Sequence, residues 1–293
     1  MSDYLIKGIT KDGFLKVSAM QSRDLVEKMR NIHKTLPLAT AALGRALTAA
    51  GMMGADLKGE NASLTLQIRG DGQLGAITAV SDSRGNVRGY LQNPALDLSL
   101  RVDGKLAVGE GVGKNGLLTV IKDIGSGEPF SGKVELLSGE IAEDIAAYFA
   151  ASEQVPAVCA LGVTVGTDQS VLCAGGYIIQ VMPGTPDGLV DILEARVREA
   201  PNISAQLIGG MDIEEAVFDL LHGFGLEVLE RREVGYECKC SRKKVESALL
   251  SMGQDELSRL IEEEGRAEVT CQFCDSRHQF DKGQLEGLLS KIK

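Results

Sequence analysis

The chain has 293 residues, 44% hydrophobic and 25% charged. These are globular proportions that exclude a wholly disordered chain, and the length suits about two domains. Thirty-one basic residues against 41 acidic ones leave a net charge of −10, and there is no tryptophan and only 4% aromatics, which argues against duplex binding through phosphates and against base-stacking platforms.

Residues 4–9 and 14–17 form two short strand-like runs split by Asp12-Gly13. A run of helical period follows, with Leu25, Val26, Met29 and Ile32 on one face, and then residues 36–53, rich in alanine and leucine. Past Gly59 the texture becomes that of strands, at residues 64–68, 76–80, 87–91, 98–102, 117–121 and 133–136, with turn signals every 8–12 residues or so. Ser138 reads as the N-cap of a helix carrying Ile141, Ile145, Tyr148 and Phe149 inward. Residues 158–165 and 171–182 read as paired strands around Gly166-Thr167-Asp168. The fold class is α+β, a β-sheet-rich core with packed helices.

The acidity is concentrated. Residues 187–230 carry ten acidic side chains against Arg196 and Arg198, whereas residues 231–293 are balanced. The acidic stretch reads as a helical linker, with Leu189, Ile192, Leu193 and Val197 on one face, stopped by Pro201. A second face, Ile213, Val217, Leu220 and Leu221, is stopped by Gly223. Asp212, Glu214 and Glu215 stand where the helix dipole favours them. The expected organisation is a core at 1–180, an acidic helical linker at 181–230 and a small C-terminal domain at 231–293.

Several motifs are expected to be structural. Gly70-Asp71-Gly72-Gln73-Leu74-Gly75 fits a dinucleotide fingerprint, but a β-branched run follows where a helix N-terminus is required, so it reads as a hairpin turn. Gly109-Glu110-Gly111-Val112-Gly113 lacks the Lys-Ser/Thr of a phosphate loop. His33, His222 and His278 have no nucleophile or carboxylate at triad spacing. Cys159 and Cys173 lie in apolar runs and read as small buried hydrophobes. The longest apolar candidate, residues 155–165, is too short to span a bilayer, and residues 1–5 lack the layout of a signal peptide, so the expected location is cytoplasmic.

Cys238-Lys239-Cys240 and, thirty residues on, Cys271-Gln272-Phe273-Cys274 make a C-x-C plus C-x₂-C set. Two close pairs of sulfurs can converge on one tetrahedral ion, and in a reducing compartment such a set suits zinc better than structural disulfides. Between the pairs, residues 243–250 and 255–264 read as two helices broken at Met252-Gly253-Gln254. Residues 269–270 and 278–280 read as a short hairpin around the second pair. A module so small depends on its metal for much of its folding free energy. Lys239, Arg242, Lys243, Lys244 and Arg277 surround the cysteines in sequence, and nearby cations favour the reactive thiolate. A staple of this kind is a plausible oxidant sensor.

The pattern Cys238-x-Cys240-Ser241-x-x-Lys244-Val245, then Cys271-x-Phe273-Cys274 and Phe280, resembles the redox-regulated chaperones of the heat shock protein 33 family. The resemblance extends over the chain: residues 23–47, 68–72 and 89–94 look like the family's core, and Gly210-Met211 before an acidic helix looks like its linker. It implies a holdase without ATP or catalytic residues, inactive while reduced with one Zn²⁺ held by Cys238, Cys240, Cys271 and Cys274. Oxidants then form the disulfides Cys238–Cys240 and Cys271–Cys274 and expel the zinc. The linker unfolds, and a homodimer captures unfolded or oxidatively damaged clients, with no role for nucleic acid or membrane. The competing expectation is a cytosolic enzyme in which zinc is only a staple.

Overall fold

The structure is a computed structural model that describes residues 2–125 and 127–292. The chain divides into two compact units, one ending at Glu237 and the other beginning at Cys238.

In the first unit β1 (Tyr4–Thr10) and β2 (Leu15–Gln21) form a hairpin, followed by α1 (Arg23–His33) and α2 (Pro37–Gly54). Then come β3 (Ser63–Arg69), β4 (Ile77–Asp82), β5 (Val87–Leu91), the single turn α3 (Val108–Val112), β6 (Leu117–Asp123) and β7 (Phe130–Glu135). α4 (Ala142–Tyr148) is continued by a π-turn and leads to β8 (Ala157–Val165) and β9 (Val171–Val181). Three helices, α5 (Asp187–Glu199), α6 (Ile203–Ile208) and α7 (Ile213–Leu220), precede β10 (Leu226–Glu233). The strands make two antiparallel sheets, ordered β10-β1-β2-β9-β8 and β5-β4-β3-β6-β7.

α2 touches strands of both sheets. All of its residues except Pro37 and Arg45 are buried, as expected of a helix apolar on every side. Its small residues are what permit this. A Cβ on Gly44 would come within 2.9 Å of Val26 Cγ1, and one on Gly54 within 2.5 Å of Ser81 Oγ.

The opposite face of the first sheet is covered by α5, α6 and α7. Leu193, Ile203, Leu207, Ile213, Val217 and Leu220 pack there with Tyr4, Ile6, Leu15, Val17, Tyr177 and Ile179. The acidic stretch is therefore the second cover of a two-faced sheet, and Asp212 caps α7 through the Glu215 N–H at 2.8 Å. Ile192 and Phe218 remain exposed on its outer side.

Four expectations need correction. Residues 98–102 form no strand: Leu100 and Val102 are exposed, and the backbone closes a local turn through Arg101 and Lys105. Ser138 does not cap a helix. The buried carboxylate of Asp144 collects the N–H groups of Leu137, Ser138 and Ile141 at 2.7, 3.0 and 2.9 Å, and α4 starts at Ala142. The linker holds three helices rather than two. A boundary at 230 falls inside β10, which pairs with β1 along its whole length. The glycine motif at 70–75 is indeed the β3–β4 turn. It packs backbone to backbone on the other glycine motif, with Gly72 N–H donating to Val112 O at 2.9 Å, and a Cβ on Gly72 would meet Gly111 O at 2.3 Å.

The second unit contains α8 (Arg242–Ser251), α9 (Gln254–Glu263), β11 (Arg266–Thr270), β12 (Arg277–Asp281) and α10 (Lys282–Leu289). Its core consists of Val245, Leu249, Leu257, Ile261, Phe280, Leu285 and Leu288. α10, capped by Asp281 through the Gln284 N–H at 2.9 Å, was not foreseen.

The start of α1 supplies a pH test. Ser22 turns its hydroxyl to Thr48 at 2.8 Å, and the carboxylate of Asp3 caps the helix instead, accepting from Asp24 and Leu25 N–H at 3.0 and 2.6 Å. Burial raises the Asp3 carboxyl from 3.8 to about 6 against the pull of those two N–H groups. A raised acid pKa means that the native state holds the proton more tightly than the unfolded chain, so stability at this site increases as pH falls from above 6 toward 4. Asp3→Asn should abolish that gain. The margin of the parent over the variant in thermal or denaturant unfolding should widen between pH 7 and pH 4.5 by on the order of 2 kcal/mol; a constant margin would refute the assignment.

Candidate metal centre

The two cysteine pairs are positioned by different devices. Cys238 and Cys240 lie on extended chain that runs directly into α8, whose first turn is capped by Ser241 Oγ accepting from Lys244 N–H at 3.3 Å. Cys271 and Cys274 lie in the turn between β11 and β12. There Cys271 N–H donates to Ser276 O at 3.0 Å, and Cys271 O accepts from Cys274 and Asp275 N–H at 3.3 and 2.9 Å. Asp275 takes the left-handed conformation, φ 54°, that turns the chain back into β12.

These turns bring four sulfurs together. All four Sγ atoms lie within 4.8 Å of one another, with Cys238 and Cys271 at 3.7 Å and Cys240 and Cys274 at 3.3 Å. Four sulfurs at about 2.3 Å from one tetrahedral ion would stand about 3.8 Å apart. The donor set therefore fits one such ion, with all four positions filled by protein, as in structural rather than catalytic sites.

The electrostatics are those of crowded thiols. Burial, and then the neighbouring sulfurs, push the Cys240 thiol up to about 12. Burial also raises Cys238. Cys274 goes the other way, down to about 7: burial opposes the shift, but the Ser276 hydroxyl at 3.2 Å, the Ser276 N–H and the neighbouring thiols outweigh it. Four adjacent thiolates repel, and a divalent cation is the group that relieves the repulsion.

Two of the basic residues noted in the sequence do not serve the sulfurs. Arg242 stacks on the Phe280 ring at 4.2 Å and donates to Gln279 O and Gln284 Oε1, and Arg277 faces Glu268 at 3.8 Å. Ser276, which tunes Cys274, was missed; its signal is the serine two positions after C-x₂-C.

The remaining candidates stay apart from this cluster. Cys159 and Cys173 lie on β8 and β9 of the first unit, and burial raises both thiols. His33 lies in α1, with Nε2 3.2 Å from Tyr236 Oη; His222 follows α7, and His278 lies in β12. No helix among the described residues is long and apolar enough to cross a membrane.

Comparison with known proteins identifies the family. The family described as Hsp33 protein matches residues 3–281. A 33 kDa chaperonin of Desulforamulus reducens is 44% identical over all of this chain and 99% of its own. One of Clostridium perfringens is 46% identical over 99% of this chain and 92% of its own. The crystal structure of the 33 kDa chaperonin, a heat shock protein 33 homolog, of Thermotoga maritima superposes with a TM-score of 0.89 at 35% identity, covering 99% of both chains. The expectation of an enzyme with a zinc staple is thereby set aside: the chain belongs to the Hsp33 family, a family of chaperones and not of enzymes.

Proposed function

We propose that this chaperone is a redox-switched holdase that works without ATP in the cytoplasm, silent while Cys238, Cys240, Cys271 and Cys274 hold one Zn²⁺. The observation that carries the reading is the convergence of four sulfurs from two separate turns in a module whose core, among the described residues, has seven buried apolar side chains. A core of that size is marginal below roughly 70–80 residues, so an ion bound by four thiolates would supply much of its folding free energy.

Oxidation removes the donors. Each disulfide takes two electrons from a pair of thiolates, so two pairs with two peroxides and four protons give two disulfides and four waters. A disulfide sulfur carries no charge to hold a cation. The proposed pairs are Cys238–Cys240 and Cys271–Cys274. Such short loops leave the two halves of the module free to separate, whereas bonds across the 33- and 34-residue spacings, Cys238–Cys271 and Cys240–Cys274, would tie the halves together and oppose unfolding.

The consequence for the first unit is loss of the cover formed by α5, α6 and α7. The eight acidic side chains between Asp187 and Leu220 keep the released segment in water. Departure of Leu193, Ile213, Val217 and Leu220 leaves Tyr4, Ile6, Val17 and Ile179 of the sheet open to the apolar side chains of unfolded or oxidatively damaged proteins. The active form is a homodimer, and it engages neither nucleic acid nor membrane.

Three measurements test this. Reduced protein should contain about one zinc per chain, and removal by a strong chelator should unfold the module from Cys238 onward, read as loss of its amide protection; a module that keeps its fold without metal refutes the staple. Peroxide with mild heat should release the zinc, raise the fluorescence of an apolar dye and make the protein suppress aggregation of a heat-unfolded client. Zinc release without suppression would sink the holdase reading. Replacing Cys271 and Cys274 by serine should give high dye fluorescence before any oxidant and no further rise after it; a variant that still needs oxidant contradicts the switch.

A further inference from the structure

The twelve residues between Leu226 and Glu237 are in sequence both the end of the connector and the approach to the first cysteine. They change sheets within that length. β10 forms one edge of the first sheet, paired with β1 from Thr10↔Leu226 to Tyr4↔Glu233. Immediately afterwards the chain joins the β5 edge of the second sheet in the parallel sense: Val87 N–H donates to Gly235 O at 2.9 Å, and Glu237 N–H donates to Val87 O at 2.8 Å. Gly235 N–H donates to Asn86 Oδ1 at 3.1 Å, and Val234 N–H to Asp3 O at 3.2 Å.

Little apolar burial holds this strip. From Leu226 to Glu237 the buried residues are Leu226, at 9% exposure, and Tyr236, at 3%. The Tyr236 hydroxyl donates to Gly89 O at 2.9 Å, accepts from Gly89 N–H at 3.3 Å and meets His33 Nε2 at 3.2 Å, and its carbonyl accepts from Lys28 Nζ at 2.9 Å. Backbone bonds at two sheet edges thus hold most of the strip, with Leu226 seated in the α5–α7 core at its start, Arg231 paired with Glu214 of α7 and lying over the Tyr4 ring at its middle, and Tyr236 pinned at its end.

We infer that residues 226–237 are a relay strand pinned by Tyr236: loss of fold from Cys238 onward reaches the cover helices α5–α7 by peeling this strip from β5 and then from β1. The inference rests on the redox-switched reading above. Tyr236 acts as a positioning residue that sets how readily the disturbance passes, not as a participant in sulfur chemistry.

The test is amide hydrogen exchange on the full chain, reduced with zinc and after peroxide with mild heat, alongside zinc release and client protection. On oxidation the amides of Val87, Gly89 and Glu237 should lose protection together with those of α5–α7. If zinc leaves, clients are protected and α5–α7 exchange freely while Val87 and Glu237 stay protected, the relay is overturned and the redox reading stands. If zinc stays bound or clients are not protected, the redox reading falls and the relay with it. Tyr236→Phe keeps the ring and removes the hydroxyl bonds. It should release zinc at the parent rate while opening α5–α7 roughly three- to tenfold faster; equal opening rates would overturn the role of the pin.

Discussion

Along β1, β2 and β9 successive side chains are apolar on both sides of the sheet. Leu5, Met20 and Ile178 turn into the core around α2, and Tyr4, Ile6, Val17 and Ile179 turn the other way. A sheet apolar on both faces has to be covered twice. The first cover is a helix with scarcely a polar side chain; the second is built from the most acidic stretch of the chain. The two covers therefore differ in charge, the second lying in a stretch that holds most of the chain's net negative charge.

The cysteine module solves a different problem. Its helices and hairpin bury too few side chains to hold it well, and its cap residues, Ser241 and Asp281, secure helix ends rather than the whole. The four sulfurs bring the approach to α8 and the β11–β12 turn to one point.

How much of this was legible in the sequence depended on range. The C-x-C and C-x₂-C spacings, the helices on either side of Met252-Gly253-Gln254 and most of the strands are local patterns, and they appear in the structure as read. Misreadings arose where a distant group overrides a local signal. Ser138 has the right side chain for a cap, but Asp144 takes the neighbouring N–H groups. Residues 98–102 alternate like a strand and find no partner strand. Basic residues near cysteines in sequence said little about charge near sulfur, because the Phe280 ring holds Arg242. The change of sheet after β10 has no local signature, since it depends on which edges lie within reach.

The glycines and alanines of α2 bear on the whole design. Where side chains come as close to a helix backbone as Val26 does to Gly44 or Ser81 does to Gly54, there is little room for slack. The centre of the first unit is thus a keel without moving parts, and every element able to shift is fastened to its outside. An interior with so little slack is a fixed frame on which the outer elements are mounted.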